Sequence, residues 1–326
     1  MLILAESELR QVLKMAEVIN AVEEGFRALA RGDAVAPSRL QLEIPESSGV
    51  LLEMPSRARL EAKTALGTKV VSVFEKNPAR NIATVQAVYL LIDGETGAPL
   101  ALMEGRFITA IRTAATSALA TRLLASGEKK RLAIFGSGVQ AQFHIEAMLQ
   151  VAEIEVIMIA SRNERKASEL RDRVSSLYNI PCEIVSSEEA ASRANLICTC
   201  TGSPSPLFDG RLIQPGTHIN AVGAFTPSTR ELDTESILRA RVFIDAEQAA
   251  GQEAGEILLP IAEGAIDASH IKGTLAELVA RKVSGRVSPE DITVFKSSGL
   301  AIEDLVTARL AYDRALTLGI GSSVAL

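Results

Sequence analysis

One stretch, Arg131-Leu-Ala-Ile-Phe-Gly136-Ser-Gly138-Val139-Gln140-Ala141, has the residue types and spacing that hold a dinucleotide. A short apolar strand runs into a glycine turn and then a helix. Gly136 permits the turn, Gly138 lets the backbone approach a pyrophosphate, and Ala141 lets helix and strand pack closely; the anion then rests on the helix N-terminus. Alone the spacing is weak, because glycine turns also close strand-helix units that bind nothing. Here a helix over 139–151 leads to a second apolar strand over 154–160, the strand-helix-strand order that the fingerprint requires.

The end of that second strand reads Ala160-Ser161-Arg162-Asn163. An acid there binds a ribose 2′-hydroxyl, whereas an arginine accommodates a 2′-phosphate. No acid occurs before Glu164, so NADP(H) is favoured; NAD(H) stays open, because Arg162 also reads as a solvated residue at a helix start. Thr201 follows a strand over 195–199, at the kind of strand end where ligands bind in such sheets. Arg112 lies near the start of an Ala-rich helix, 107–125, which leads directly into the fingerprint strand. A guanidinium on an Ala-rich face has few structural uses and is well suited to grip a carboxylate bidentately.

These residues need a scaffold, and the hydrophobic pattern supplies one. An amphipathic helix is predicted over 15–30, with Val18, Ile19, Val22, Phe26 and Leu29 at helical spacing and Gly32 just beyond. Strands follow at 40–44, 50–54, 65–74, 84–93 and 99–104, forming an antiparallel or mixed sheet with one helix on it. After the Ala-rich helix, which reads as a hinge element, strands near 131–135, 154–160, 182–185, 195–199, 217–221, 241–244 and 291–295 alternate with helices, as in a doubly wound parallel sheet. A last helix over about 301–318 is expected to pack back on the N-terminal domain.

With 326 residues and 47% hydrophobic content the chain can build two domains, and its formal charge of −6 is spread without acidic or basic blocks. Nothing in it points to nucleic acid or membrane as partner. No apolar run reaches the roughly 18 residues of a spanning helix, and the start Met1-Leu-Ile-Leu-Ala-Glu lacks signal-peptide character, so a cytoplasmic enzyme is expected. Cys198 and Cys200 alternate along one strand and Cys182 lies on another, giving neither a disulfide framework nor a zinc pattern. His144, His218 and His270 stand far apart in sequence, and no metal is expected.

Several phrases in one order resemble the ornithine cyclodeaminase and mu-crystallin family over nearly the whole chain. They are Pro37-Ser-Arg39-Leu-Gln-Leu, Gly49-Val-Leu-Leu-Glu-Met-Pro55, Gly67-Thr-Lys69-Val-Val, Ile108-Thr-Ala-Ile-Arg112-Thr-Ala-Ala-Thr-Ser, Gly136-Ser-Gly-Val-Gln-Ala, Asn220-Ala-Val-Gly-Ala and Val294-Phe-Lys-Ser-Ser-Gly-Leu-Ala-Ile-Glu-Asp. The resemblance implies an α/β fold: a Rossmann domain over 116–301, plus a discontinuous α+β domain of 1–115 and 302–326 that binds substrate and joins a homodimer through the N-terminal sheets. It implies that Arg39, Lys69 and Arg112 hold a substrate carboxylate, with Lys69 and Arg112 catalytic and Phe225 and Ser298 also facing the substrate. Cofactor contacts fall, by the same likeness and the fingerprint, on Thr84, Arg112, Gly136, Gly138, Val139, Gln140, Ser161, Arg162, Asn163, Thr201, Ala221, Val222, Gly223, Ala224, Thr229 and Ser297.

The pattern breaks at two positions. Cyclodeaminases of the family carry an Asp after the Val-Gly-x segment and a Glu in the strand before Met-Pro; this chain has Phe225 and Leu52. Glu53 is adjacent but points to the opposite strand face, and only Glu231 and Asp233 downstream offer substitutes. Cyclodeamination, like an alanine-type dehydrogenation, needs a general base near the reacting nitrogen. Reduction of a ready-made cyclic imine needs a carboxylate clamp, a hydride and one proton. The expectation is an NAD(P)H-dependent reductase of cyclic ketimino acids, Δ1-pyrroline-2-carboxylate to L-proline or Δ1-piperideine-2-carboxylate to L-pipecolate, with Phe225 against the ring. The rivals are a cyclodeaminase or amino-acid dehydrogenase of the same family and a non-catalytic protein that holds NADPH and a small ligand.

Overall fold

Helical spacing of Val18, Ile19, Val22 and Phe26 buries one face of a helix that ends where Gly32 takes the left-handed conformation and donates to the Ala28 and Leu29 carbonyls. In the computed structural model, which describes residues 1–60 and 63–325 (for 248–250 the backbone only), this is helix Met15–Arg31. The chain divides into two compact units, 1–115 with 299–326 and 116–298. The return crossing lies between Ser298 and Gly299 rather than between 301 and 302, because Gly299 already packs on Arg112 of the first unit.

The first unit contains β1 (Leu2–Leu4), α1 (Glu6–Val12), α2 (Met15–Arg31), β2 (Ala34–Val35), β3 (Leu40–Ile44), β4 (Gly49–Leu60), β5 (Lys63–Phe74), β6 (Val85–Asp93), β7 (Pro99–Glu104) and the start of α3 (Gly105–Leu124). Its sheet runs from the short strand Ser322–Ser323 through β1, β7, β6, β5 and β4 to β2, with β3 also on β4; β1 and β7 are parallel and the other pairs antiparallel. The C-terminal helix Ala301–Leu318 covers β4, β5 and β6, and α2 packs on that helix and on β4, so the expected last helix joins the first one over this unit's sheet. Strand alternation sorts the two faces. Met54, Lys69, Tyr89, Met103 and Leu4 stand opposite one another across five strands and all are buried. One residue along, Leu40, Glu53, Val70 and Val88 line up on the outer face, where the three apolar members are exposed.

The second unit begins within α3 and contains β8 (Lys129–Phe135), α4 (Val139–Met148), β9 (Glu153–Ala160), α5 (Glu164–Leu177), β10 (Cys182–Ile184), α6 (Ser187–Arg193), β11 (Leu196–Thr199), β12 (His218–Ala221), α7 (Thr234–Leu238), β13 (Ala240–Ile244), α8 (Glu247–Glu253), α9 (Gly255–Ala262), β14 (Ile271–Thr274), α10 (Leu275–Val279) and β15 (Ile292–Lys296). Its strands form a wholly parallel sheet in the order β10-β9-β8-β11-β12-β15-β13-β14. Strands β11 and β12 are buried at every residue, as expected for strands covered on both faces. Strand order reverses between β8 and β11, and in such sheets ligands bind beyond the strand ends at that reversal. Strand β14 lay outside the sequence expectations, and Cys200 falls just past the end of β11 rather than within it. Among the described residues no helix is long and apolar enough to cross a membrane, and no cluster of metal-ligating side chains forms.

Candidate active site

In the first unit, the centre of β5, the third turn of α3 and the first turn of the C-terminal helix bring four charged side chains together. Lys69 is 1% exposed, and its ammonium donates to both oxygens of Asp304 at 2.9 Å and to Thr109 Oγ1 at 3.2 Å. Arg112 lies one turn after Thr109 on α3, so the two share a helix face. Its Nε donates to Asp304 Oδ1 at 3.2 Å and its Nη1 to Glu303 Oε2 at 2.6 Å. Glu303 also accepts the Leu300 amide at 2.9 Å, which anchors it at the start of the C-terminal helix. Gly299, at φ +82°, makes room for the guanidinium: a Cβ there would stand 2.6 Å from Arg112 Nη1.

Electrostatics follow from this geometry. Burial pulls the Lys69 pKa down to about 8, with Asp304 opposing the fall and Arg112 adding to it. Burial also works against the Arg112 guanidinium, but Asp304 and Glu303 outweigh it and hold it above its ordinary value. Tyr89, facing Lys69 across the β5–β6 pair, is kept a neutral phenol by burial and by the Asp304 charge, its pKa raised well above the usual value. The cluster is thus two cations balanced by two carboxylates, with burial lowering the pKa of one cation to about 8.

In the second unit, the turn after β8 takes the conformation that the fingerprint needs. Gly136 has φ +110°, and a Cβ there would meet the Cys200 carbonyl oxygen at 2.6 Å; only glycine fits. Around Gly138, at the N-cap of α4, an added Cβ would meet nothing within 4 Å, so the backbone faces open space as a pyrophosphate cradle must. Ser137 and Ser161 join their hydroxyls at 2.9 Å across the ends of β8 and β9. Asn163 caps α5 by accepting from the Lys166 amide at 3.0 Å, and Arg162 is exposed beside it. At and beyond the ends of β11, β12 and β15 lie Thr201, Ala221 to Ala224 and the buried Ser297. The residues present fit a bound dinucleotide.

Over residues 1–318 the chain matches the model of the ornithine cyclodeaminase/mu-crystallin family. The chain belongs to this family. A solved structure of Thermococcus litoralis Δ1-pyrroline-2-carboxylate reductase, in complex with NADH and L-proline, superposes with a TM-score of 0.96 at 41% identity, covering 99% of this chain and 100% of that one. An archaeal alanine dehydrogenase dimer with bound NAD gives a TM-score of 0.93 at 34% identity, covering 100% and 99%. Among curated proteins, the Δ1-pyrroline-2-carboxylate reductase of Bacillus cereus is 37% identical over 326 residues, 99% of each chain.

Set beside the site expected from the family likeness, Lys69 and Arg112 meet through Asp304, and Arg39 lies just before β3. Arg39 is half-buried one residue before β3, where continuing the β3–β4 register would set it opposite Met54 and thus in line with Lys69. Thr84 lies just before β6 in the first unit, its carbonyl accepting the Phe74 amide. Gln140 and Val139 open α4, Thr229 shares a hydroxyl bond of 2.7 Å with Thr226, and Phe225 is 46% exposed on the loop after β12. Ser298 donates its amide to buried Asp245. Leu52 sits in an apolar cluster with Met54, Val71 and Ala301, and Glu53 points outward and is exposed. Neither downstream acid is available as a base: Asp233 caps α7 through the Ser236 amide at 2.8 Å, and Glu231 is buried with both oxygens engaged. The sequence reading missed Glu303 and Asp304. Two acids at the start of a helix look like ordinary complements of the helix dipole, and only their place in the family phrase singled them out.

Proposed function

We propose that this protein is an NAD(P)H-dependent reductase of cyclic ketimino acids, converting Δ1-pyrroline-2-carboxylate to L-proline or the six-membered homologue to L-pipecolate. The observation that carries it is how the candidate acids are engaged: Asp304 and Glu303 in the first unit, and Glu231 and Asp233 in the second, are each already bonded to a cation or a backbone amide. Cations to hold a carboxylate are present, while none of these four acids is left free to take a proton from an amine. The alanine dehydrogenase relative favours a second reading, reductive amination of a keto acid, which needs such a base.

In the proposed reaction Arg112 and Arg39 grip the substrate carboxylate, and Phe225 and Ser298 face the ring. When bound, the reduced nicotinamide supplies a hydride, which goes to the imine carbon; the imine nitrogen gains one proton and becomes a secondary amine. Lys69, with its pKa near 8, is the reservoir for that proton. The fingerprint loop and residues 161–163 take the dinucleotide, with Arg162 favouring the 2′-phosphate of NADP(H), although the similar solved structures carry NADH or NAD. The exposed apolar row of Leu40, Val70 and Val88 on the outer sheet face supports a homodimer through the first unit.

Purified protein should oxidise NADPH, and NADH more slowly, when given the five- or six-membered cyclic imine. Turnover with pyruvate only when ammonia is added would replace this assignment by the dehydrogenase, ammonia released from ornithine would point to a cyclodeaminase, and tight NADPH binding without turnover would leave a binding protein.

A further inference from the structure

Glu231 is a buried acid of the second unit with four hydrogen bonds, and it belongs to no step of the proposed reaction. Its carboxylate accepts from Thr199 Oγ1 at 2.7 Å, the Thr201 amide at 2.7 Å, Thr201 Oγ1 at 2.6 Å and the Gly223 amide at 2.7 Å. Four bonds use the full acceptor capacity of an ionised carboxylate. They also join two separate strand ends, those of β11 and β12. Behind it, Glu256 Oε1 accepts the Glu231 amide at 3.0 Å, and Glu256 pairs at 3.1 Å with Lys296 at the end of β15. Lys296 in turn donates to the Ala224 carbonyl, one residue before Phe225. All three charged side chains are fully buried.

A buried ionic trio of this kind is weak support for stability, since apolar side chains of the same volume often serve as well. What it provides is position: three strand ends are tied at the edge where Thr201, Ala221 to Ala224 and Ser297 gather. We infer that Glu231, backed by Glu256 and Lys296, is a positioning residue that holds the loops after β11 and β12 in the form that receives the dinucleotide. This rests on the assignment of those loops to a dinucleotide cradle.

Glutamine at position 231 keeps the volume but turns an NH2 donor toward amide and hydroxyl donors. Titration of the Glu231→Gln protein with NADH and NADPH, followed by nicotinamide fluorescence, should show binding weakened about tenfold or more, and the KM for the dinucleotide should rise while that for the imino acid stays put. Thr199→Val removes one bond from a residue outside the loops and covers the case in which the glutamine variant does not fold; its binding should weaken by about threefold, alongside a modest fall in melting temperature from the bond lost at the carboxylate. Wild-type protein that binds with both variants within twofold of it overturns this inference alone. So does a lower melting temperature with both KM values unmoved, which is what a merely structural role would produce. Failure of the wild-type protein to bind either dinucleotide overturns the cradle assignment and this inference with it.

Discussion

Lys69 is a lysine whose ammonium is enclosed, bonded to Asp304 and Thr109, and brought by burial to a pKa of about 8. In the proposed reduction the protonated form is the active one, so kcat/KM should be flat at neutral pH and fall as pH rises through about 8. In the oxidative direction the dependence inverts, because the neutral amine must then receive the proton. Lys69→Arg keeps a cation opposite Asp304 but moves its titration out of range; the limb near pH 8 should vanish and kcat should drop by about 10²- to 10⁴-fold, the usual share of a general acid. An unchanged limb in that variant would assign the proton elsewhere. For Arg112 the structure alters what removal should do. Arg112→Ala takes a counter-ion from two buried carboxylates, a loss of about 3 to 5 kcal/mol of stability on top of any effect on binding. Arg112→Lys is the sharper probe: the charge stays and the planar fork goes, so the melting temperature should hold while the KM for the imino acid climbs at least tenfold, as steady-state kinetics on a folded sample would show.

At the scale of the elements, the turn after β8 tolerates little change at its first glycine. Gly136→Ala puts a Cβ against the Cys200 carbonyl at φ +110°, so the turn must open or the β11 end must move. Dinucleotide affinity, followed by fluorescence titration, should fall by at least tenfold in that variant, whereas Gly138→Ala, whose added methyl meets no protein atom, should keep the fold and lose affinity only where the methyl meets the ligand. The glycines were legible from sequence because their spacing encodes backbone geometry directly. The C-terminal helix 301–318 was legible to the residue, since Gly319 stops it in the left-handed conformation and its apolar positions recur at helical spacing. Short elements were not: α1 and β14 carry too few residues to establish a period, and their form is set by neighbours distant in sequence. Legibility ended at pairings. Nothing local in Glu303-Asp304 says that it meets Lys69, more than two hundred residues earlier, and nothing in Glu231 distinguishes a loop tether from a base.

Across the whole molecule, acid should unfold the protein through histidines rather than through its surface pairs. His144 sits between the Gln140 carbonyl at 2.8 Å and the Ser117 hydroxyl at 3.0 Å, a geometry that a neutral ring with one N–H satisfies. His218 is equally buried beside Thr293. Burial lowers their pKa values from 6.5 to about 4 and about 3, the second helped by the Arg286 charge. In both cases the folded pKa lies below the unfolded one, so the unfolded chain binds more protons between those values. Stability is therefore complete above about pH 6.5 and is lost as pH falls below it, at about 1.4 kcal/mol per pH unit for each histidine once the unfolded ring is fully charged. Glu231 acts in the opposite sense, because its burial raises its pKa and protonation favours its folded form. The window to examine is pH 5 to 7, above the range of ordinary carboxylates, where any proton uptake by Glu231 in the folded form only reduces the histidine slope. Urea unfolding in that window should show stability decreasing toward pH 5 with a limiting slope near two protons, and His144→Gln should remove about half of it. A denaturation midpoint that is the same at pH 5 and pH 7 would mean that the second unit admits charged imidazoles without opening.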